Sequence, residues 1–257
     1  MALTCGPWTH ISMGLGARTT TRETLGWLDE KLAGRPAPGR AAPVRVHVTG
    51  AGEWRDLPAW PPPTSTRELY LHPGGGLTED VPRPSAPPSS FTFDPADPTP
   101  TVGGPLVQGG GYVDDSALAA RPDVLAFTGA VLDGDVEVLG SPAVELAHVS
   151  DNPHADLFVR LSEVDRKGRS RNITEGYVRL DPARGDEPVR LPLLNTAHRF
   201  RAGTRIRLLI AGGSHPRYAR NLGTGENPGT GTTLVPAHHS IAHGQGTASR
   251  LLLPVAP

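Results

Sequence analysis

The sequence predicts a mainly β fold, a jelly-roll sandwich that follows a short segment with one helix and one strand. Glycine and proline supply 31 and 28 of the 257 residues, about twice their average share, and this favours many turns. A single amphipathic helix pattern occurs, near the N-terminus. After residue 123, short segments with alternating apolar residues recur between turn residues.

The helix is predicted over residues 21–33. The run Thr20–Glu23 has the spacing of a capping box, in which polar side chains satisfy the first free N–H groups of a helix. Leu25, Leu28 and Leu32 then recur at i, i+3 and i+7. This spacing places the three leucines on one face of the helix.

A strand is predicted at Val44–Val48, where valine alternates with polar residues. The prolines at 61–63 cannot donate to a sheet and favour an extended linker, so we expect a domain boundary near residue 60. The predicted domains are 1–58 and 59–257.

The second domain is predicted to be built from strands alone. Residues 64–122 read mostly as loop, with short strands around Tyr70-Leu71 and Phe91–Phe93. The regular β signal begins after Asp123 and predicts eight strands, at Val124–Thr128, Asp135–Leu139, Ala143–Val149, Asp156–Val164, Ile173–Leu180, Val189–Leu193, Thr204–Ala211 and Ala248–Pro254. About eight antiparallel strands are typical of a jelly roll.

Composition argues against several classes of partner. The net charge is −1, and no charged tail is present, so neither nucleic acid nor a membrane surface is expected as a partner. Apolar runs stay far below the roughly 18 residues that a membrane span needs, and the N-terminus lacks the pattern of a secretory signal. Cys5 is the one cysteine, which fits a reducing compartment and predicts a cytoplasmic protein.

Two histidine patterns are candidates for chemistry. His10 follows a Gly-Pro-Trp-Thr turn near a strand end, where active-site groups are common, but the residues alone favour a surface histidine or one satisfied in the core. His239 and His243 have i, i+4 spacing, which binds zinc on a helix, but Pro236 and Gly244 leave little room for a helix. We therefore expect a loop histidine cluster there, and we predict no metal and no cofactor.

Other motifs favour ordinary structural roles. Asp114-Asp115 is expected to be a pair of solvated carboxylates, since the acidic spacing of a calcium loop is missing. Asn172-Ile173-Thr174 matches the glycosylation pattern, which means little without a secretory signal. The glycine pairs and triplets at 103–104, 109–111 and 212–213 read as turns and not as phosphate loops.

The sequence offers no recognisable nucleophile. A nucleophile elbow needs Gly-x-Ser-x-Gly between a strand and a helix, and no serine of these 257 residues has that context. Ser214 follows two glycines, but His215-Pro216 after it indicates a loop. A histidine base without a nucleophile in reach has no proton to take.

Several stretches jointly resemble the CocE/NonD family of hydrolases, which includes cocaine esterase, α-amino-acid ester hydrolases and Xaa-Pro dipeptidyl-peptidases. Gly6–His10 is similar to the turn that carries the family's catalytic histidine. The other similar stretches are Trp27–Asp29 with Gly34, Val44–Val48 with Glu53–Arg55, Phe93–Pro98 with Pro100–Gly104, Asp156–Leu161 with Gly168-Arg169, Asn172–Gly176 and Pro216–Gly225.

The resemblance implies an architecture and one catalytic residue. Residues from about 60 to 257 are expected to form the family's galactose-binding-like jelly roll, and residues 1–58 to be a remnant of its α/β-hydrolase domain. His10 is expected to be the general base of a Ser–acid–His triad whose serine and acid are absent. We therefore expect an inactive C-terminal part of a serine hydrolase, with a small ester or peptide as substrate only in a complete enzyme.

Two other roles remain open. The alternatives are a non-catalytic jelly-roll interaction module and one half of a split hydrolase whose serine lies on a separate chain. The leucine stripe of the helix lacks a sheet to cover, so self-association into a homo-oligomer is expected. Carbohydrate binding rests on fold analogy alone.

Overall fold

A computed structural model describes residues 2–10, 12, 14, 17–35, 41–244 and 248–257 of the chain. Within these residues the fold is mainly β, as the sequence predicts. The elements in chain order are β1 (Leu3–Cys5), α1 (Ala17–Lys31), β2 (Val44–Val48), β3 (Glu53–Leu57), β4 (Ser65–His72), β5 (Gly76–Thr78), β6 (Ser89–Phe93), α2 (Ser116–Ala119), β7 (Val124–Gly129), β8 (Val136–Gly140), β9 (Ala143–Ser150), β10 (Asp156–Val164), β11 (Ser170–Arg179), β12 (Val189–Pro192), β13 (Thr196–Phe200), β14 (Arg205–Ala211), β15 (Ala237–Ala242) and β16 (Arg250–Val255).

The first three strands form a small separate sheet in the order β1-β2-β3. The chain passes from β1 through α1 to β2, and the two strands are parallel, which is the connection that a helix crossover permits. The β2–β3 pair is an antiparallel hairpin, and Gly50 and Gly52 in its turn take positive φ angles of 76° and 75°. The Thr4 hydroxyl on β1 donates a hydrogen bond to the Glu23 carboxylate on α1.

Helix α1 begins earlier and ends earlier than the predicted 21–33. It already includes Ala17, so Thr20 lies in the first helical turns and not at the cap position. At the other end, the amide of Arg35 donates to the carbonyl of Asp29, and Gly34 between them has a φ of 63°. This is the left-handed termination for which glycine is preferred.

The remaining strands form a large sheet whose main path is β11-β10-β14-β7-β5-β4-β16-β9-β15-β6. Strand β12 pairs with β9, and β13 pairs with β8, which also meets β16. Neighbours are antiparallel except for the short parallel contact of β5 with β7. The eight strands predicted after Asp123 are all present as β7 to β12, β14 and β16, with ends shifted by a few residues.

The curved sheet encloses one apolar core, consistent with a β-sandwich. Alternate residues of strands from both ends of the path enter the same buried cluster, which includes Leu69, Leu71, Val144, Leu146, Leu157, Val159, Leu161, Ile206, Leu208, Ile210, Leu251 and Leu253. The opposite face of β10 and β14 carries Phe158 and Leu209, which pack with Leu118 of α2 in a second, smaller cluster. In β10 and in the second half of β14, the period-two alternation therefore separates two buried faces and not a buried from a solvated face.

Among the strands that were not predicted, β13 and β15 carry buried polar residues at their inward positions. In β13 the inward positions are Thr196, His198 and Phe200, so the apolar alternation is hidden. In β15 the inward positions are Ala237, His239 and Ile241. The expected loop histidine cluster is therefore wrong: β15 is inserted between β9 and β6, and its backbone hydrogen bonds favour a strand over either a loop or a helix.

Candidate functional site

A cleft of about 530 Å³ separates the small N-terminal sheet from the sandwich. One wall consists of β1, the turn Gly6–His10 and the end of β2. The other wall comes from the loop 104–112, from β11 and from the segment 194–197 before and within β13. Its lining is largely apolar, with Leu3, Trp8, Val46, Leu106, Val107, Ile173 and Leu194.

His10 lines this cleft, at the end of its N-terminal wall, and is exposed. The turn before it is compact: a Cβ added at Gly6 would lie 2.7 Å from the Trp8 ring, so only glycine fits beneath the indole. The Thr9 amide donates to the Ser12 hydroxyl at 2.7 Å, and the Ser12 amide donates to the Thr9 hydroxyl at 3.2 Å. These reciprocal bonds join Thr9 to Ser12.

An aromatic series attaches the turn to the β2–β3 hairpin. The ring of Trp8 lies 5.9 Å from that of Trp54 on β3, and Trp54 meets His47 of β2 edge-on at 5.3 Å. The guanidinium of Arg45 lies 5.2 Å from the Trp54 ring. Contacts of this kind stabilise the packing beyond the burial of apolar surface, because the ring faces carry partial negative charge and the ring edges partial positive charge.

The sandwich wall of the cleft is held by Asn172 on β11. Its side-chain oxygen accepts the amide of Val113 at 2.7 Å, and its side-chain nitrogen donates to the carbonyl of Gly111 at 3.0 Å. Gly104 and Gly111 exchange two backbone hydrogen bonds of 2.7 and 3.0 Å, which close the loop. The side-chain amide of Asn172 is buried, and both its oxygen and its nitrogen are hydrogen-bonded, so the asparagine of the glycosylation pattern has a structural role here.

An ion network lies under this wall. The buried Glu175 carboxylate accepts two hydrogen bonds from Arg160, at 3.1 and 2.6 Å, and it also pairs with Arg217. Arg160 is fully buried, and its third nitrogen lies 3.8 Å from Asp115, which accepts the Ser162 hydroxyl at 2.7 Å. Two carboxylates and two guanidinium groups thus offset one another beneath the cleft.

This network overturns half of the expectation for Asp114-Asp115. Asp114 is exposed, and hydrogen bonds from Ser116 lower its pKa. Asp115 is completely buried. The sequence carried no signal for this because its partners, Arg160 and Ser162, lie more than 40 positions away.

The remaining histidine candidates are buried in the sandwich and not in the cleft. Nε2 of His148 lies 3.0 Å from Nδ1 of His239, and the His239 ring stacks on Phe91 at 4.5 Å. Burial lowers the pKa of His148 to about 4 and that of His239 to about 3. His239 and His243 therefore do not share a helix face, and the described residues hold no group of three or more side chains suited to bind a metal ion.

Ser214 is buried as well, and its hydroxyl lies 3.0 Å from that of Thr101.

The cleft combines an apolar pocket with the imidazole of His10 at its edge. Such a group can accept and return a proton when a hydroxyl is brought within hydrogen-bond reach.

A family profile matches residues 38–252, and its description is the X-Pro dipeptidyl-peptidase C-terminal non-catalytic domain. The chain belongs to this family. Together with the relatives described below, this match shows that the chain is a C-terminal portion of a CocE/NonD-type hydrolase. The family resemblance seen in the sequence is therefore confirmed.

Two curated relatives show how far this similarity extends. Cocaine esterase of a Rhodococcus species is 29% identical over 260 residues, which cover 87% of this chain and 45% of the esterase. A putative serine esterase of Mycobacterium bovis is 28% identical in an alignment of 300 residues. This alignment covers 98% of this chain and 45% of the relative. The chain therefore spans about half the length of the curated relatives that it matches.

Solved structures share the fold of this chain. An aminopeptidase from a marine sediment archaeon of the Thaumarchaeota superposes with a TM-score of 0.86 at 21% identity, over 100% of this chain and 49% of that one. An α-amino acid ester hydrolase gives 0.79 at 23% identity, over 90% of this chain and 44% of that one. Neither helix in the described part of the chain has the length and apolar character of a membrane-spanning segment.

Proposed function

We propose that the chain supplies the general base and one side of the substrate cleft of a CocE/NonD-type serine hydrolase, which cleaves small esters or Xaa-Pro peptides. The observation that supports this most is the position of His10. It lies on a turn that resembles the family's histidine turn, at the edge of an apolar cleft shared by the N-terminal sheet and the sandwich. The names of the relatives, two esterases and an aminopeptidase, point to the same class of acyl hydrolysis.

In the proposed reaction, His10 accepts the proton of a serine hydroxyl as that oxygen attacks the substrate carbonyl. It then donates the proton to the leaving alcohol or amine. A carboxylate on the far side of the imidazole selects the tautomer that can accept this proton. The serine and this carboxylate come from outside the 257 residues, since no serine of the chain has the nucleophile-elbow context.

The chain on its own is therefore proposed to be inactive. In a comparable triad, loss of serine or histidine lowers kcat by roughly 10⁶. A general base without a nucleophile retains none of that acceleration, and Ser214 is buried against Thr101 and cannot replace the missing serine.

We further propose that the fold has two parts of different origin, residues 1–58 and 59–257. The β1–α1–β2 unit, with its parallel strands joined by a helix, supports a remnant of an α/β-hydrolase domain. The antiparallel strands that enclose a common core support a galactose-binding-like jelly roll for the rest. Cys5 as the one cysteine supports a cytoplasmic location.

The partner proposed for this chain is a serine-bearing hydrolase half. Two surfaces support it: the apolar cleft walls, where Val107 and Leu194 are exposed, and the leucine stripe of α1. Without such a partner, the α1 stripe is proposed to mediate homo-oligomers.

The second candidate is a non-catalytic interaction module, which the description of the matched family as non-catalytic favours. In that case the cleft binds a ligand or a protein segment, and His10 is not used for proton transfer. Catalytic turnover distinguishes the two functions.

The test uses the chain alone and a chimera in which the serine-bearing part of the Rhodococcus cocaine esterase precedes Leu3. Hydrolysis of p-nitrophenyl acetate and of Ala-Pro-p-nitroanilide is measured for both. We expect no turnover by the chain and turnover by the chimera that His10→Ala abolishes. A chimera that is folded by circular dichroism and gel filtration, yet inactive or indifferent to His10→Ala, would contradict the proposal and favour the interaction module.

A further inference from the structure

We propose that Glu137 and His198, two residues of the sandwich, position His10 by anchoring the β2–β3 hairpin on which the His10 turn packs. This inference rests on the proposed function, in that His10 needs a fixed place only if it transfers a proton. The sandwich would then be part of the catalytic apparatus and not only a neighbouring domain.

The His10 turn and the end of β2 lie at the same edge of the small sheet. Strands β1 and β2 are parallel, with Cys5 opposite Val46, so both end at one edge of the sheet. The turn Gly6–His10 leaves β1 there, and Thr49 follows β2 there. Both line the cleft, so a displacement of β2 moves the base of the turn as well.

His198 anchors the end of β2. The Thr49 amide donates to the Ala197 carbonyl at 2.9 Å, and the Arg199 amide donates to the Thr49 carbonyl at 2.9 Å. The Thr49 hydroxyl lies 2.8 Å from Nδ1 of His198, whose ring is buried between Phe200, edge-on at 4.6 Å, and Glu163, 3.6 Å from Nε2. The Thr49 hydroxyl also donates to the Ala197 carbonyl at 3.0 Å, and Arg199 pairs with Glu53 of β3 at 3.4 Å. The small sheet is thus joined to β13 by a short backbone ladder and by several side-chain contacts.

Glu137 on β8 anchors the other strand of the hairpin. Its carboxylate accepts two hydrogen bonds from Arg55 on β3, at 2.8 and 3.1 Å, and one from Arg199 at 2.8 Å. The side chain of Glu137 is 10% exposed, so this two-point ion pair is only weakly screened by solvent. Arg55 follows Trp54 directly, and Trp54 is the residue against which Trp8 packs.

The turn of the β2–β3 hairpin packs tightly against the sandwich at Arg199 and Arg201. A Cβ added at Gly50 would lie 2.2 Å from the Arg199 carbonyl oxygen, and Gly50 has a φ of 76°. Glycine is therefore required there both by space and by conformation. Arg201 donates to the carbonyl of Gly50 at 3.2 Å, which holds the turn in place.

The test compares Glu137→Gln and His198→Phe with the control Glu145→Gln in the chain alone. Glu145 is matched to Glu137, since it is also a sandwich carboxylate that accepts two hydrogen bonds from one arginine, Arg250, at 2.9 and 2.7 Å. Amide exchange is followed by mass spectrometry over residues 44–57. The ring Cε1–H signal of His10, assigned by its loss in His10→Gln, is followed by NMR.

We expect exchange over 44–57 to accelerate about tenfold in Glu137→Gln and His198→Phe, because a charge-assisted hydrogen bond contributes about that factor to local opening. We also expect a displaced His10 signal in both variants. His198→Asn keeps a polar group near the Nδ1 position and should restore part of the protection. Glu145→Gln should leave the hairpin and the His10 signal unchanged.

Unchanged exchange and an unchanged His10 signal in both folded variants would overturn the inference. If either variant unfolds the sandwich, Arg55→Gln tests the same contact from the hairpin side while Glu137 keeps Arg199. In an active chimera, Glu137→Gln should lower kcat about tenfold and leave KM unchanged, as expected for a misplaced base. Because the measurements on the chain alone need no activity, their failure is distinguishable from failure of the proposed function.

Discussion

Arg160 has no solvent exposure and lies between the carboxylates of Glu175 and Asp115. In the sequence it lies between the apolar residues Val159 and Leu161 of β10, and nothing nearby indicates its partners. A buried guanidinium is tolerated only when its charge is offset and its donors are used. The buried ion network could not be predicted from sequence because it joins β10, β11, the residue before α2 and the loop that carries Arg217.

We expect Arg160→Met to lower the free energy of unfolding by about 3–5 kcal/mol, since the change leaves the buried Glu175 and Asp115 with fewer partners. Urea denaturation at neutral pH measures this. Arg169→Met, which removes an exposed pair with Asp165, is the control and should change little. An Arg160→Met variant as stable as the parent chain would show that the network does not contribute to stability.

The histidine pair in the core predicts acid sensitivity. His148 and His239 have pKa values of about 4 and about 3 in the folded chain and an ordinary value of 6.5 when unfolded. Below pH 6.5 the unfolded state therefore binds protons that the folded state does not. The stability is complete above pH 6.5 and is lost as the pH falls from 6.5 toward 4, by about 1–2 kcal/mol per histidine at about pH 5.

The check compares urea denaturation at about pH 7.5 and about pH 5. The double variant His148→Leu with His239→Phe, which keeps an aromatic ring against Phe91, should lose less stability on acidification than the parent chain does. His238→Gln changes the exposed neighbour and should behave like the parent. Equal losses in the parent and the double variant would rule out the pair as the cause.

Some elements were predicted accurately from the sequence, and others were missed. Strands with regular apolar alternation, such as β10 and β14, were predicted to within a few residues. β13 and β15 were missed because their inward positions include Thr196, His198 and His239, which pair with remote strands. Tertiary contacts make these polar residues acceptable in a core, and single-sequence periodicity does not register such contacts.

Helix α1 is the element whose apolar face has no cover in the described structure. Leu25, Leu28 and Leu32 are 57%, 41% and 79% exposed, and among the 15 residues of α1, all of them described, none is buried. An apolar stripe of this kind favours association. It is the expected consequence of the leucine spacing seen in the sequence.

We expect the isolated chain to self-associate at micromolar concentration, and the double variant Leu28→Glu with Leu32→Glu to be monomeric. Sedimentation velocity measures both. Val81→Glu with Val149→Glu, two exposed valines outside α1, is the matched control and should associate like the parent. A parent chain that sediments as a monomer would leave the stripe without a role in homo-oligomers.

At the scale of the whole molecule, the mainly β fold and the family could be predicted from the sequence. It did not place His10 relative to the sandwich. The cleft is formed by segments around residues 10, 49, 107, 175 and 195, which local patterns do not connect. The contacts that join the small sheet to the sandwich, between Thr49 and His198 and between Arg55 and Glu137, are equally remote in sequence.

The central claim is that His10 is a competent general base held at the edge of a cleft without its nucleophile. The most direct measurement is steady-state hydrolysis of p-nitrophenyl acetate by the chain alone and by its His10→Ala variant. We predict the same background rate for both, because no serine of this chain has the nucleophile-elbow context that the imidazole would assist. Sustained turnover by the chain that His10→Ala abolishes would contradict the account.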